Sequence, residues 1–371
     1  MRFSCEKAIL QAAVNTASRA VSAKSSIPAL EGLLLQAGTA LTVSGYNMQT
    51  GIRTKVSADI AQEGELVVNA RLFGDIIRRM GDDVVTFATD PKGATIRLTC
   101  GDASFDIAAL DAADYPELPE VEDEFSFTIQ QRLLREMISQ TLFAVSTNEA
   151  RPVHTGSLFE IDAQGLTVVS VDGFRLALRR EKVEKFEGGA FRFVAPGSAL
   201  GEVEKICADT DDKLEVTLGN RHLLFEIGDT QLICRRLEGE FLDYKNAIPR
   251  KNPIALTVDA KRMIESIDRV SVVISEKLKS PVKCHFSYNK VTMTAKTGAG
   301  EAKDVCPVEG DGEDLEIGFN NRYLADALRN APADTVKMEL NTGISPAIIV
   351  PTEGEETFLY MVLPVRLKNN G

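Results

Sequence analysis

The chain has 371 residues, a net charge of −12, 44% hydrophobic and 26% charged residues; this is an ordinary globular composition, long enough for two to four domains. No apolar run approaches the ~20 residues of a membrane span, and Met1-Arg2-Phe3-Ser4-Cys5-Glu6 has neither the basic start nor the apolar stretch of a signal peptide, so a cytoplasmic protein with no membrane partner is expected. Six scattered cysteines (5, 100, 207, 234, 284, 306) and three isolated histidines (154, 222, 285) suggest buried thiols, with no disulfide, metal site or cofactor.

In chain order, a helix is expected over 6–23, with Ile9, Ala12, Ala13, Thr16, Ala20 and Val21 on one face. Leu41–Gly51 alternates as a strand into a turn, and a second strand follows at 52–58. A short helix starts near Asn69, Phe105–Pro116 closes the unit, and the acidic 116–124 reads as a linker. Thr128 with Gln131 fits a capping box for a helix over 130–146. Strands at Leu166–Leu176 and 177–183 lead to a short helix near Ala195, with Pro196 in its first turn. Leu232–Tyr244 closes this unit, and 245–253 reads as the next linker. Asp259 fits the N-cap of a helix over 259–275, strands follow at Val291–Gly300 and 302–308, and Asn320 fits the N-cap of a short helix. Leu359–Leu367 closes the third unit.

The strand pairs recur every 125 residues, and the helices keep the same period. A period this long implies tandem domains rather than a solenoid. Each has two helices and about eight short strands, with proposed bounds 1–119, 126–249 and 252–371. Alternating strands imply antiparallel sheets with one buried face, and two helices covering that face make an α+β layer. Three similar domains form an arc, and identical arcs joined head to tail close into a ring if the rotation permits.

Charge is unevenly placed. The six helical stretches sum to +4 against −12 for the chain, leaving −16 on the sheets and loops. Basic helices facing inward suit a ring around DNA, with Arg71, Arg78, Arg79, Arg132, Arg322 and Arg329 as candidate phosphate neighbours and Lys24 just after the first helix. Helices are ~10 Å across, so twelve of them side by side, from two chains, leave a hole of about 30 Å. Such a ring touches duplex DNA through phosphates, without sequence readout.

No catalytic constellation is present. The chain lacks a GxxxxGK[ST] phosphate loop, and Gly298-Ala-Gly300 reads as a hairpin turn. Glu120–Glu124 and Asp209–Asp212 read as a solvated linker and loop. The recurrence of Asp114-Tyr115 as Asp243-Tyr244 suits a fold-serving pair better than an active site. Two other classes remain: a repeated-domain scaffold that does not encircle DNA, and a hydrolase using the acidic loops, for which Asp211 would be the residue to test.

Four segments carry a family resemblance: Ser26-Ile-Pro-Ala-Leu30; Val171-Asp-Gly-Phe-Arg-Leu-Ala177; Gly239-Glu-Phe-Leu-Asp-Tyr244 with Ile248-Pro249; and Tyr360-Met-Val-Leu-Pro-Val-Arg-Leu367. In order and at these domain positions, they resemble the bacterial sliding clamps, β subunits of the replicative DNA polymerase III holoenzyme, over essentially the whole chain. The resemblance implies a DNA clamp fold in a head-to-tail homodimer ring whose helices line the hole. It also implies a non-catalytic processivity factor that encircles double-stranded DNA regardless of sequence. Its partners would be DNA polymerase III, the clamp loader, other polymerases, and mismatch-repair and ligase proteins. They would compete for one peptide pocket made by Gly173, Phe174, Arg175, Leu176, Leu242, Asn320, Tyr323, Ile344, Pro346, Met361, Leu363, Pro364, Val365 and Arg366. Leu176, Leu242, Ala247, Met361 and Leu363 would form the apolar floor, with Arg175 and Arg366 fixing carbonyls or acidic groups. Lys24, Arg71, Arg78, Arg79, Asn148 and Arg151 would face DNA. Ile76, Phe105 and Ile107 would meet Val272 and Val273 of a second copy, joining edge strands. The chain departs from the family's common residues at Phe174 (often histidine), Val171 (threonine), His154 (leucine), Leu242 (proline) and Asn246 (basic), which implies a differently shaped pocket. Ser198 replaces a basic residue, and Lys368-Asn-Asn-Gly371 extends past the usual end and should hang free.

Overall fold

The computed structural model describes residues 1–90, 95–122, 124–183, 189–274 and 280–367. The helices are α1 (Lys7–Ala17), α2 (Ala70–Arg79), α3 (Gln131–Leu142), α4 (Gly197–Ile206), α5 (Tyr244–Ala247), α6 (Ala260–Ser271) and α7 (Asn321–Arg329). The remaining regular structure is short antiparallel strands gathered in two compact bodies. One holds Met1–Arg135 with Glu202–Arg236, the other Glu136–Gly201 with Leu237 onward.

In the first body a single sheet of thirteen strands begins at Phe125–Gln130 and ends at Asp59–Gln62. Its centre is a junction between repeats: Thr230–Arg235, from the second, pairs antiparallel with Thr50–Val56, from the first. The second body makes the same kind of junction in an eight-stranded sheet, where Phe358–Val362 pairs with Arg175–Glu181. It also holds a four-stranded sheet, from Gly300–Pro307 at one edge to Leu315–Phe319 at the other.

Alternation decides which face each strand buries. Thr335–Leu340 hides Val336, Met338 and Leu340 and turns the residues between them outward. The first core packs α1 and α2 over the sheet around Phe3, Phe73 and Phe87; Phe3 stacks on Phe87 with ring centroids 4.6 Å apart. The corresponding core of the second body gathers Phe286, Phe319 and Tyr360 beneath α6 and α7.

Three of the longer helices, α2, α6 and α7, start on a side-chain cap. Asn69 accepts from Leu72 N–H, Asp259 from Arg262 N–H, and Asn320 from both Arg322 and Tyr323 N–H. These satisfy backbone donors that a helix start leaves unpaired. The capping box at Thr128 does not form. Thr128 stays in the strand Phe125–Gln130, which runs directly into α3, and the Gln131 side chain instead accepts from Ala208 N–H at 2.9 Å. Pro196 ends a strand, and α4 begins one residue later.

The inward face of α1 is also rotated from the expected one. Leu10, Ala13, Val14 and Ala17 are buried, whereas Ile9 and Ala12 are exposed. Turning the helix by one residue puts Leu10 and Val14 into the core and leaves Ile9 at the surface. The second strand of each repeat begins two residues earlier than expected, at Thr50, Arg175 and Gly300. Only Gly298 and Ala299 remain as the turn between two paired strands, the expected hairpin. The second linker is not wholly irregular, because Tyr244–Ala247 forms α5, capped by Asp243. The expected helix over 259–275 ends at Ser271. Ser275, Asp123 of the first linker and the tail at 368–371 lie outside the described residues.

Candidate peptide-docking site and flanking surfaces

A tight turn builds the core of the site. Asp172 accepts through Oδ1 from the N–H groups of Phe174 (2.8 Å) and Arg175 (3.0 Å), and Gly173 between them adopts φ +89°. That left-handed conformation is open to glycine without a Cβ penalty. The turn aims Phe174 outward, 60% exposed, and sets its ring on Tyr323 of α7 at 6.0 Å between centroids. Phe174 also holds the C-terminal segment, accepting from Leu363 N–H at 2.9 Å; two residues on, Val365 N–H donates to Gly318 at 2.8 Å.

Arg175 departs from its expected role. Its side chain is 12% exposed and is held by Asp172 at 2.9 Å and Asp326 at 2.7 Å. The guanidinium also lies over the rings of Tyr323 (4.5 Å) and Phe143 (5.4 Å). Two carboxylates and two aromatic faces leave it positioning the site, with no free charge to offer a ligand. Arg366, by contrast, is exposed.

Leu176 and Met361 are directly opposed across the junction and almost fully buried, so they form a floor. Of the other expected pocket residues, Leu242 is 43% exposed and Ile344 80% exposed, with Leu363, Pro364, Val365 and Pro346 half-buried. Exposed apolar groups beside a buried floor are a candidate docking surface. Phe174, Arg175, Asn320 and Tyr323 open onto a cavity of about 410 Å³ that also reaches Asn148. Sequence reasoning missed a second cavity of about 430 Å³, where Leu178, Leu359 and Ile348 meet Tyr244 and Ile248. The alternation of Leu176 with Leu178 was its signal.

Among the basic candidates, Lys24, Arg71, Arg151 and Arg322 are exposed, as is Asn148. Arg78 and Arg79 are exposed but share Asp75 at 3.1 and 3.5 Å, and Arg329 pairs with Asp326 at 3.3 Å. Such surface pairs contribute little and leave the cations able to exchange partners. Arg132 pairs with Asp209 at 2.9 Å and Asp211 at 3.5 Å, which gives that acidic loop a structural partner.

The expected edge residues divide by burial. Ile76 and Ile107 belong to the first core, Phe105 is 37% exposed, and Val273 is half-buried beside Val272, which is 84% exposed. The strand Ala103–Leu110 pairs along one side with Thr95–Cys100, but on the other only Ala109 and Leu110 are paired. Gly300–Pro307 is the edge of its sheet. Among the described residues, no group of three or more His, Cys, Asp or Glu is placed to hold a metal, and no helix is long and apolar enough to cross a membrane. Burial pushes the thiols of Cys207, Cys234 and Cys284 up to about 12, where they are unreactive.

Models of the N-terminal, central and C-terminal domains of the DNA polymerase III beta subunit match residues 1–119, 128–243 and 245–366. A beta sliding clamp of Synechocystis is 32% identical, with 100% of both chains covered. The beta sliding clamp of Bacillus subtilis is 29% identical over 99% of this chain and 100% of its own. A crystal structure of the DNA polymerase sliding clamp from Bacillus subtilis superimposes with a TM-score of 0.93 at 27% identity, covering 99% of each chain. A crystal structure described as a putative DNA polymerase III beta subunit from Eubacterium rectale gives 0.92 at 28%, covering 98% of this chain and 99% of that one. Three tandem α+β repeats, each matched by one domain of the beta subunit and shared along their whole length with proteins named beta sliding clamp, make this a DNA sliding clamp, a non-catalytic processivity factor. The chain belongs to the DNA polymerase III beta subunit family, the bacterial beta sliding clamps.

Proposed function

We propose that two copies of this chain join head to tail into a ring around duplex DNA in the cytoplasm, and that the ring tethers DNA polymerase III. The observation that carries this reading is the pair of unfinished edges. Among the described residues, Ala103–Ala108 has no strand partner on one side, and Gly300–Pro307 ends its sheet. Unpaired edges are a liability that natural sheets cover, and joining one to the other in a second copy covers both. Phe105 together with Val272 and Val273 then becomes contact surface. The helices carry the exposed cations that face phosphate: Arg71, Arg78 and Arg79 from α2 and Arg322 and Arg329 from α7, with Lys24, Asn148 and Arg151 on adjoining loops. The three repeats, 1–119, 126–249 and 252–371, are its domains.

The clamp loader, other polymerases, and mismatch-repair and ligase proteins take turns with polymerase III at the site around Phe174, Leu176, Leu242, Ile344, Met361 and Leu363. The occupant is an extended peptide with apolar anchors, which suits an apolar floor with a few polar groups at its rim. Removal of residues 363–371 tests this. A labelled C-terminal peptide of a bacterial replicative polymerase is expected to lose binding while the protein keeps its dimer mass. Undiminished affinity would place the peptide elsewhere.

A further inference from the structure

The repeat builds the same sheet junction twice, once in each body, and the two differ at one instructive place. In the first, Gly51 lies opposite Ile233 and Arg53 opposite Gln231. In the second, Leu176 lies opposite Met361 and Leu178 opposite Leu359. The 125-residue period makes Gly51 the counterpart of Leu176, and Arg53 that of Leu178. Each junction is overlaid by a segment opening with Asp-Tyr. Tyr115 is 6% exposed and donates to Ser44 O; Tyr244 is 3% exposed and donates to Glu160 Oε2. Three residues beyond these tyrosines stand Leu118 in one segment and Ala247 in the other.

The side chains have exchanged sizes. In the second junction the sheet supplies Leu176 and the overlying segment a small, exposed alanine. In the first the sheet supplies no side chain and the segment supplies Leu118. A Cβ placed on Gly51 would lie 2.9 Å from Leu118 Cδ2 and 3.1 Å from its Cγ. Leu118 is 8% exposed, packed with Ala29, Leu30, Tyr46 and Ile233. Next to it a cavity of about 1010 Å³ is lined by Arg53 and by Glu117 and Glu120, the neighbours of Leu118 and Pro119. Arg53 Nε is buried there without a hydrogen-bond partner.

We propose that the first linker is a built-in peptide ligand. Leu118 covers the first junction over Gly51, whereas at the second Leu176 rises from the sheet and the overlying segment supplies only Ala247, so each chain presents one docking groove to a partner peptide and keeps the other covered. The occupant of the closed groove is the chain's own Pro116–Val121. The proposal rests on the peptide reading of the second groove only for the comparison, because the first groove can be tested alone.

In the intact protein, Pro116–Val121 is replaced by a Gly-Ser run of equal length. The probe is a labelled hexapeptide Pro-Glu-Leu-Pro-Glu-Val, followed by fluorescence anisotropy. The variant is expected to bind it at one site per chain, the unaltered protein not at all, and a probe with alanine for leucine at least tenfold more weakly. Equal binding to both proteins, no binding to the folded variant, or indifference to the leucine overturns the proposal. Limited proteolysis of the intact Leu118→Ala protein with a glutamate-specific protease keeps it testable if the replacement does not fold. Cleavage after Glu117 and Glu120 is expected to speed at least tenfold while cleavage elsewhere in the chain keeps its rate, and an unchanged rate after both overturns it. In a separate arm, Ala247→Leu adds to the second overlying segment the side chain that Leu118 supplies in the first, and is expected to weaken the polymerase peptide at least tenfold. Full binding of that peptide, with the hexapeptide result intact, would count against the second groove as the partner site and leave the plug standing.

Discussion

Arg175 and His154 show what single residues contribute around the site. The Arg175 guanidinium neutralises Asp172 and Asp326 in a part of the fold that is largely closed to water. Removing Arg175 leaves Asp172 without its cation in a half-buried site while Asp326 keeps Arg329 at 3.3 Å, which costs about 1–3 kcal/mol. Arg175→Ala is therefore expected to lower the urea midpoint markedly. Arg175→Lys should recover only part of the loss, since an ammonium cannot bridge two carboxylates in the planar geometry of arginine. Full stability in Arg175→Ala would show that the pair contributes nothing. His154 packs edge-on to Phe241 at 5.5 Å, and burial, with Arg151 nearby, holds its imidazole below the ordinary range. Protonation thus favours the unfolded chain. Its contribution is complete above the unfolded value of roughly 6.5 and declines as pH falls below it. His154→Leu should lose less stability than the unaltered protein between pH 7.5 and 5.5. His222, lowered in the same direction, contributes equally to both proteins. An identical pH slope for the two would assign the effect elsewhere.

At the scale of elements, the caps separate folding from binding. Asn320 satisfies two N–H groups at the start of α7 and also borders the candidate pocket. Loss of such a cap costs about 1 kcal/mol, so Asn320→Ala should shift chemical unfolding by that amount. Asn69→Ala, far from the pocket in sequence, should match it in stability and leave peptide affinity unchanged. Equal loss of affinity in both would make the effect one of folding. At Asn69 only the helix start was legible in the sequence, whereas the caps at Asp259 and Asn320 were legible because each is a local pattern beside a periodic segment. The 125-residue repeat was legible for the same reason. What was not legible depends on distant partners. Thr128 and Gln131 fit a capping box locally, but Gln131 is engaged by Ala208, 77 residues away. The face of α1 buries Leu10 and Val14 rather than Ile9, and counting apolar positions along the helix does not choose between those faces. Arg175 reads as a free cation until Asp326, 151 residues on, is placed beside it. The Gly51–Leu118 contact needs both a strand register and a linker path, and no local pattern specifies either.

For the whole molecule, the proposed joining of edges predicts a dimer. Sedimentation at micromolar concentration should give about twice the 40.4 kDa chain mass, and Val272→Asp should shift it toward one chain. Val272 is 84% exposed, so the substitution spares the fold and buries a charge only if that surface meets another copy. A dimer unaffected by Val272→Asp would place the interface elsewhere. The most direct measurement is topological. The protein is loaded by a bacterial clamp loader with ATP onto a nicked circular plasmid, separated from free protein by gel filtration, and the circle is then cut once. A ring held by linkage should stay with the circle and leave the linear DNA. Equal retention on both forms would mean that the protein holds DNA by contact, and the encircling ring would be wrong.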